Sequence, residues 1–217
     1  MRMQKDVLGL IDGGEKMSAM NIAYEYQNNL YINLTNRCTN KCKFCIRFTP
    51  SGVDGIDLWL EHEPEADEVI AALEEKRYKE YKEVIFCGYG EPTMRWEVLV
   101  EAAKYIKENS DVKVRLNTNG HANRIAGKDI TPLLLGLIDT ISISLNAENA
   151  TKYNEICVCD YGEDGFWEML DFAKKAKEYV PEVVLSVVDV IGKEQIEECR
   201  KIAEQTGVEY RVRKYSE

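Results

Sequence analysis

The sequence predicts an α/β fold in one domain, a partial (β/α)6 TIM-like barrel. Three observations carry the prediction. Strand-like and helix-like runs alternate six times between residues 30 and 213, the pattern of parallel strands joined by right-handed helical crossovers. Several of the strand runs alternate polar with apolar residues, so one face can meet helices while the other lines an interior. The 217 residues exceed one typical domain of about 150 but fall short of the roughly 250 of a closed eight-unit barrel. A flat doubly wound sheet is the rival arrangement.

The elements follow in order. Residues 1–20 show a Gly13-Gly14 break and little periodicity, so they are expected to form a loosely held leader ahead of a core domain over 21–217. Two β-rich runs, 21–26 and 30–35, flank Gln27-Asn28-Asn29 and read as a hairpin or as an edge strand entering the sheet. Next come a helix at 65–77, a strand at 83–87, a helix at 95–109, a strand at 112–117 and a helix within 121–136. A strand at 139–145, a helix at 163–179, a strand at 183–189, a helix at 193–206 and a strand at 208–213 complete the series.

The strands argue for a barrel. Buried parallel strands are usually apolar on both faces, yet the run at 30–35 sets Leu30, Ile32 and Leu34 against Tyr31, Asn33 and Thr35. The run at 112–117 sets Val112, Val114 and Leu116 against Lys113, Arg115 and Asn117, and the next opposes Ile141, Ile143 and Leu145 to Ser142, Ser144 and Asn146. In the last, Glu209, Arg211 and Arg213 oppose Tyr210 and Val212. If the apolar sets meet the helices, the polar sets converge on a shared lumen fit for a polar ligand. The other reading makes the first and last runs edge strands with solvent on one side.

Composition narrows the function. Hydrophobic residues at 45% and charged residues at 30% are ordinary for a globular chain. The net charge is 28 − 38 = −10. That sign repels phosphate backbones, so nucleic acid is not an expected partner. No run approaches the roughly 18 apolar residues of a membrane span, and the first residues lack the apolar stretch of a secretory signal. A cytoplasmic location without membrane association is therefore expected. Seven cysteines, Cys38, Cys42, Cys45, Cys87, Cys157, Cys159 and Cys199, are an odd number in a chain large enough to bury a core. Buried, catalytic or metal-bound thiols are expected rather than a disulfide framework.

Cys38, Cys42 and Cys45 form C-x3-C-x2-C directly after the run at 30–35, on the rim where parallel sheets place their sites. A zinc site of this spacing class closes with a fourth thiolate or imidazole. None is obvious: Cys157-x-Cys159 has the wrong spacing, and His62 and His121 lack a ligand partner at i+3 to i+5. A cluster held by four cysteines would need Cys87, Cys157, Cys159 or Cys199 to arrive from far along the chain. Three ligands with no evident fourth describe an iron–sulfur cube with one iron open.

The run Cys38-Thr39-Asn40-Lys41-Cys42-Lys43-Phe44-Cys45 resembles the signature of the radical S-adenosylmethionine (radical SAM) enzymes. With the lead-in Asn33-Leu34-Thr35-Asn36-Arg37 and the exit Ile46-Arg47, the chain from about residue 22 onward looks most like the small radical SAM proteins associated with TatD-type nucleases. The resemblance implies that the three cysteines hold a [4Fe-4S] cluster whose fourth iron is chelated by the amino and carboxylate groups of SAM. It places Phe44 near the adenine.

Taken alone, Cys87-Gly88-Tyr89-Gly90-Glu91-Pro92 is a tight strand-to-helix turn or an incomplete dinucleotide fingerprint, with Thr93 at the third glycine position. Beside the resemblance it is similar to the family's Gly-Gly-Glu-Pro motif, with Tyr89 replacing the first glycine and Gly90, Glu91 and Pro92 matching. This implies that Glu91 accepts a charge-assisted hydrogen bond from the methionyl ammonium and that Gly90 lets the backbone come close. Asn117-Thr118-Asn119-Gly120 reads as a turn or, through Asn117, as a ligand contact; the family often has Thr-Asn-Gly here. The resemblance points Ser144 and Asn146 toward the ribose and carboxylate of SAM. Arg115 and Arg213 either pair with a carboxylate in the lumen or are solvated at the surface. Cys157 and Cys159, within 153–161 on the side where substrate would enter, read as ligands of a second cluster, as a thiyl or nucleophilic centre, or as small apolar loop residues, a second cluster needing more ligands than these two. Cys87 and Cys199 read as buried strand and helix residues, and His121 as a loop residue rather than a base.

The function implied is reductive cleavage of SAM to methionine and a 5′-deoxyadenosyl radical that abstracts hydrogen from a substrate. An external electron donor and a small-molecule or peptide substrate follow from it, and no oligomeric state does. Two alternatives stand: a glycyl-radical-activase-like enzyme acting on a partner protein, and a non-catalytic iron–sulfur or zinc module.

Overall fold

The computed structural model describes residues 20–49 and 52–215, so the leader expected over 1–20 lies, apart from Met20, outside the described residues. β1 (Ala23–Tyr26) and β2 (Asn29–Ile32) pair antiparallel. The two residues between them, Gln27 and Asn28, have φ of 48° and 62°. Positive φ at both positions gives a turn whose twist matches the strands it joins, so the first run is a hairpin arm.

From β2 onward each strand pairs in parallel with the next: β3 (Glu83–Phe86), β4 (Lys113–Thr118), β5 (Thr140–Ser144), β6 (Glu182–Val188) and β7 (Glu209–Arg213). The order is sequential from β1 to β7 without closure, which is the open barrel expected. The crossovers carry α1 (Ala66–Glu75), α2 (Trp96–Asn109), α3 (Ala122–Ala126), α4 (Ala150–Cys157), α5 (Asp164–Ala176) and α6 (Lys193–Thr206). Local chemistry sets their ends. Glu65 and Glu68 form a capping box at the start of α1, Asn149 caps α4 by accepting from the Lys152 amide at 2.9 Å, and Gly207 ends α6 at φ 72°.

Two expectations are corrected. The helix placed within 121–136 is α3 followed by a 3-10 turn at Thr131–Leu134, because Gly127 takes φ 66° and Pro132 cannot continue the ladder. The segment expected to be a loop around 153–161 contains α4, whose Ala150, Tyr153 and Cys157 form a buried stripe.

Register shows which side chains share a face. Ile32, Phe86, Leu116, Ile141 and Val183 form one row across the sheet, and all are buried in the helix-covered core. The opposite face carries Tyr31, Ile85, Arg115, Thr140 and Glu182 in one row, and Asn117, Ser142, Val184 and Glu209 in the next. Above these come Ser144, Ser186 and Arg211. This is the polar lumen expected, with Ile85 and Val184 as apolar members. Its charges pair low in the barrel, Arg115 with Glu83 at 3.0 Å and Arg211 with Glu182 at 3.8 Å. The edge reading holds for β7, where Val212 is 41% exposed, and fails for β2, which β1 covers.

Candidate functional site

The three cysteines sit on the loop that leaves β2 at the C-terminal rim of the sheet. On one side the lead-in is locked to the turn after β3. A Cβ at Gly90 would stand 2.2 Å from the Thr35 carbonyl oxygen and 2.6 Å from that of Arg37, so only glycine permits the approach. The Glu91 amide donates to that Arg37 carbonyl at 2.8 Å. Arg37 itself grips Glu63 with both ends of its fork, Nε to Oε1 and Nη2 to Oε2 at 2.6 Å each.

On the other side the loop is bonded to the end of α4. The amides of Lys41 and Lys43 donate to the carbonyls of Cys157 (2.8 Å) and Ile156 (3.1 Å), and the Asp160 amide donates to the Thr39 carbonyl at 2.8 Å. The chain turns sharply at the end of α4 at Val158, whose φ of 46° is a strained value for a β-branched residue. Cys157 and Cys159 thus lie buried under the cysteine loop, Cys157 at the end of α4 rather than in a loop.

The sulfurs are partly sheltered. Burial raises the Cys38 thiol to about 12, and burial likewise raises Cys45. A hydrogen bond with the Cys157 thiol, then burial, raises Cys42. The nearby Arg47 guanidinium pulls all three thiols down, but burial outweighs it and favours the neutral form; a bound metal centre reverses that preference by supplying more charge. The Cys38 sulfur already accepts the Asn40 amide at 3.4 Å and the Asn119 carboxamide at 3.8 Å. Among the described residues no three His, Cys, Asp or Glu side chains converge closely enough to hold one metal ion. What the backbone fixes is the common loop; each cysteine side chain turns about a single χ1.

Beneath the loop lies a buried polar network whose members sequence reasoning largely missed. The Thr39 hydroxyl bonds His121 Nδ1 at 2.8 Å, His121 Nε2 bonds the Gly165 carbonyl at 3.0 Å, and the Asn40 carboxamide donates to the Tyr153 hydroxyl at 2.9 Å. His121, expected as a loop residue, is fully buried, and burial pushes its pKa down to about 4. No local pattern signals this, because Thr39 and His121 are 82 residues apart.

The remaining candidates fall as follows. Glu91 is buried, and burial raises its carboxyl against the pull of four donors. Its Oε1 accepts from the Thr93 amide (3.1 Å), the Thr93 hydroxyl (2.7 Å) and the Thr118 hydroxyl (2.7 Å), and its Oε2 from the Asn119 amide (2.7 Å). Of the four or so acceptor sites of a carboxylate, Oε2 keeps one, so the ammonium contact implied for Glu91 has at most that site. Pro92 opens the short helix after it, and Phe44 is half-buried on the cysteine loop. Tyr89, which stands where the motif has glycine, is buried beside Tyr24 and Leu58 and meets the Trp59 ring edge-on at 5.2 Å.

Asn117 bonds the thiol of Cys87 in the lumen; Cys87 is half-buried there, a correction to its expected full burial. Cys199 is buried on α6, as expected. Arg115 is taken up by Glu83, whereas Arg213 Nη2 donates to Ser144 Oγ at 3.4 Å. Asn146, at φ 58°, donates its amide to the Cys157 sulfur at 3.7 Å and leaves a buried Oδ1 without a partner.

A cluster with a chelating organic cofactor fits these residues. The loop offers three soft donors, one of which already receives N–H groups suited to a metal-bound thiolate. The orphaned Asn146 Oδ1 is an acceptor waiting for a donor at the same rim.

Comparison with known proteins agrees. The chain is 27% identical over 164 residues to a protein named "Probable GTP 3',8-cyclase" from Thermococcus kodakarensis, covering 76% of this chain and 48% of that one. It therefore spans about half the length of that curated relative. Among solved structures it resembles a radical SAM methyltransferase from Sphaerobacter thermophilus, with a TM-score of 0.56 and 14% identity over 88% of this chain and 68% of the other. It also resembles Streptococcus suis SuiB bound to S-adenosylmethionine, with a TM-score of 0.56 and 19% identity over 86% and 38%. At those identities the solved structures speak for the fold alone. The sequence model of the Radical SAM superfamily matches residues 32–206, from β2 through the whole of α6, and the chain belongs to that superfamily.

Proposed function

We propose that the protein is a radical SAM enzyme holding a [4Fe-4S] cluster on Cys38, Cys42 and Cys45, with SAM beside it at the mouth of the barrel. The observation that carries this reading is the cysteine loop itself, a three-sulfur rim segment clamped by Gly90 on one side and by the Ile156 and Cys157 carbonyls on the other. When bound, the pair supplies one-electron cleavage of SAM to methionine and a 5′-deoxyadenosyl radical, the chemistry belonging to the cofactor. The chain's own part is positional. Gly90 and Glu91 fix the lead-in, Asn146 offers its free oxygen to a donor on the cofactor, and Phe44 flanks the loop. The lumen's hydroxyl and amide groups, Asn117, Ser142, Ser144 and Ser186, present hydrogen-bonding partners to a polar substrate. The electron comes from an external donor, and the substrate is a small molecule or a peptide.

The test is anaerobic reconstitution with iron and sulfide, followed by dithionite and SAM. Release of 5′-deoxyadenosine that disappears in Cys42→Ala supports the reading; a loaded cluster that never cleaves SAM sinks it. One observation favours a second reading: the Cys157 thiol touches that of Cys42, so a closed four-thiolate centre is within reach of the chain. Such a centre leaves no iron open and serves electron transfer or structure.

A further inference from the structure

The Asn119 carboxamide, at the rim of β4, hydrogen-bonds the Cys38 sulfur on the cysteine loop, and its orientation is fixed by a one-way series of hydrogen bonds. Its Oδ1 accepts from the His121 backbone amide at 3.1 Å, and a backbone N–H can only donate. Nδ2 must therefore face the other way, toward Thr39 Oγ1 at 2.8 Å and Cys38 Sγ at 3.8 Å. At the far end, the Gly165 carbonyl can only accept, so His121 Nε2 carries the proton and Nδ1 is bare. The Thr39 hydroxyl then donates to Nδ1 and is left to accept from Asn119. With Nε2–H directed at the Gly165 carbonyl at 3.0 Å and the Tyr153 hydroxyl a longer second contact of Nε2 at 3.3 Å, the series has a consistent assignment, and the residues involved are buried. A fully satisfied buried network of this kind holds its members rigidly.

We infer that Asn119 is a positioning residue whose carboxamide donates an N–H···S hydrogen bond to Cys38 and so raises the reduction potential of the cluster bound there, with Thr39 and His121 holding the amide in that orientation. The physics is direct. Reduction adds negative charge to the cluster and its thiolates, and a donor aimed at a ligating sulfur stabilises the reduced form more than the oxidised one. The inference rests on the proposed function, since it requires a cluster on Cys38.

The test takes the full chain, reconstituted anaerobically and titrated with dithionite and redox mediators in the absence of SAM, with the reduced cluster followed by electron paramagnetic resonance. Asn119→Ala is expected to load a full cluster and to show a more negative midpoint. Loss of one charge-assisted bond corresponds to roughly a tenfold fall in the reduced-to-oxidised ratio at fixed poise, about 59 mV for one electron. Thr39→Val, which removes the hydroxyl under the amide, shifts the midpoint the same way by less. His121→Asn, which keeps an acceptor where Nδ1 stands, stays nearer wild type than His121→Leu. A fully loaded Asn119→Ala protein with the wild-type midpoint overturns the inference. If circular dichroism shows that variant unfolded, an unchanged midpoint in Thr39→Val overturns it. A wild-type chain that takes up no iron and sulfide refutes the proposed function instead.

Discussion

Gly90→Ala probes how the cysteine loop is held. The new methyl group would stand 2.2 Å from the Thr35 carbonyl oxygen, 2.8 Å from its carbon and 2.6 Å from the Arg37 oxygen. All three are backbone atoms, so no side-chain rotation relieves the contact, and the lead-in must retreat by about 1 Å to reach ordinary van der Waals distance. Overpacking of this kind costs about 1–3 kcal/mol. The retreat also breaks the 2.8 Å bond from the Glu91 amide to Arg37, adding about 1 kcal/mol. The sum is roughly 2–4 kcal/mol, and the displaced carbonyls immediately precede Cys38. Urea unfolding of the cluster-free protein reads the stability, and iron content after reconstitution reads the loop. Gly192→Ala is the control, because its methyl group meets only the movable end of Gln195 at 2.3 Å and should cost under about 1 kcal/mol. If Gly90→Ala matches Gly192→Ala in stability and loads iron fully, the clamp reasoning is wrong.

Three further outcomes are expected. The His121 pKa, depressed by burial from 6.5 to about 4, means that between those values the unfolded chain binds a proton the folded chain refuses. Stability is therefore full above pH 6.5 and falls as the pH drops toward 4, by roughly 3 kcal/mol at about 1.4 kcal/mol per pH unit. The difference between wild type and His121→Asn in urea melts at stepped pH isolates that slope, and parallel curves would refute it. Cys157→Ala is expected to retain iron and SAM cleavage; loss of iron from a folded variant would select the closed four-thiolate centre. Val158→Asn, placing a residue tolerant of φ 46° where valine is strained, should raise stability by about 0.5–1 kcal/mol in thermal melts, and a lowered Tm would count against the strain.

Much of the fold was legible because the sheet is regular. Each of the six expected parallel strands appears within a few residues of its place, and the alternation of Arg115 and Asn117 with Val114 and Leu116 marks the lumen correctly. α4 escaped notice because its apolar stripe is only Ala150, Tyr153 and Cys157, diluted by polar neighbours, although Asn149 was a readable cap. The cysteine spacing named the loop. What holds the loop was illegible, since Thr39 to His121, Asn40 to Tyr153 and Lys41 to Cys157 are contacts between distant segments that no local periodicity records. Cys87 was misread for the opposite reason: its apolar neighbours suggested a core strand, but its parity sends it to the lumen beside Asn117. Tyr89 departs from the glycine of the motif because its ring is spent on the aromatic group with Tyr24 and Trp59.

The sheet's two lateral borders are unlike. At one, the β1 hairpin arm finishes the ladder with an antiparallel partner; at the other, β7 presents its unpaired main chain outward among the described residues. In five residues that strand carries Glu209, Arg211 and Arg213. Ionic side chains flanking bare amides and carbonyls make it costly for a foreign strand to lie alongside, since their hydration shells would be stripped in the process. The charges along this border thus oppose edge-to-edge pairing, and neutralising the two arginines would be the shortest route to aggregation through it.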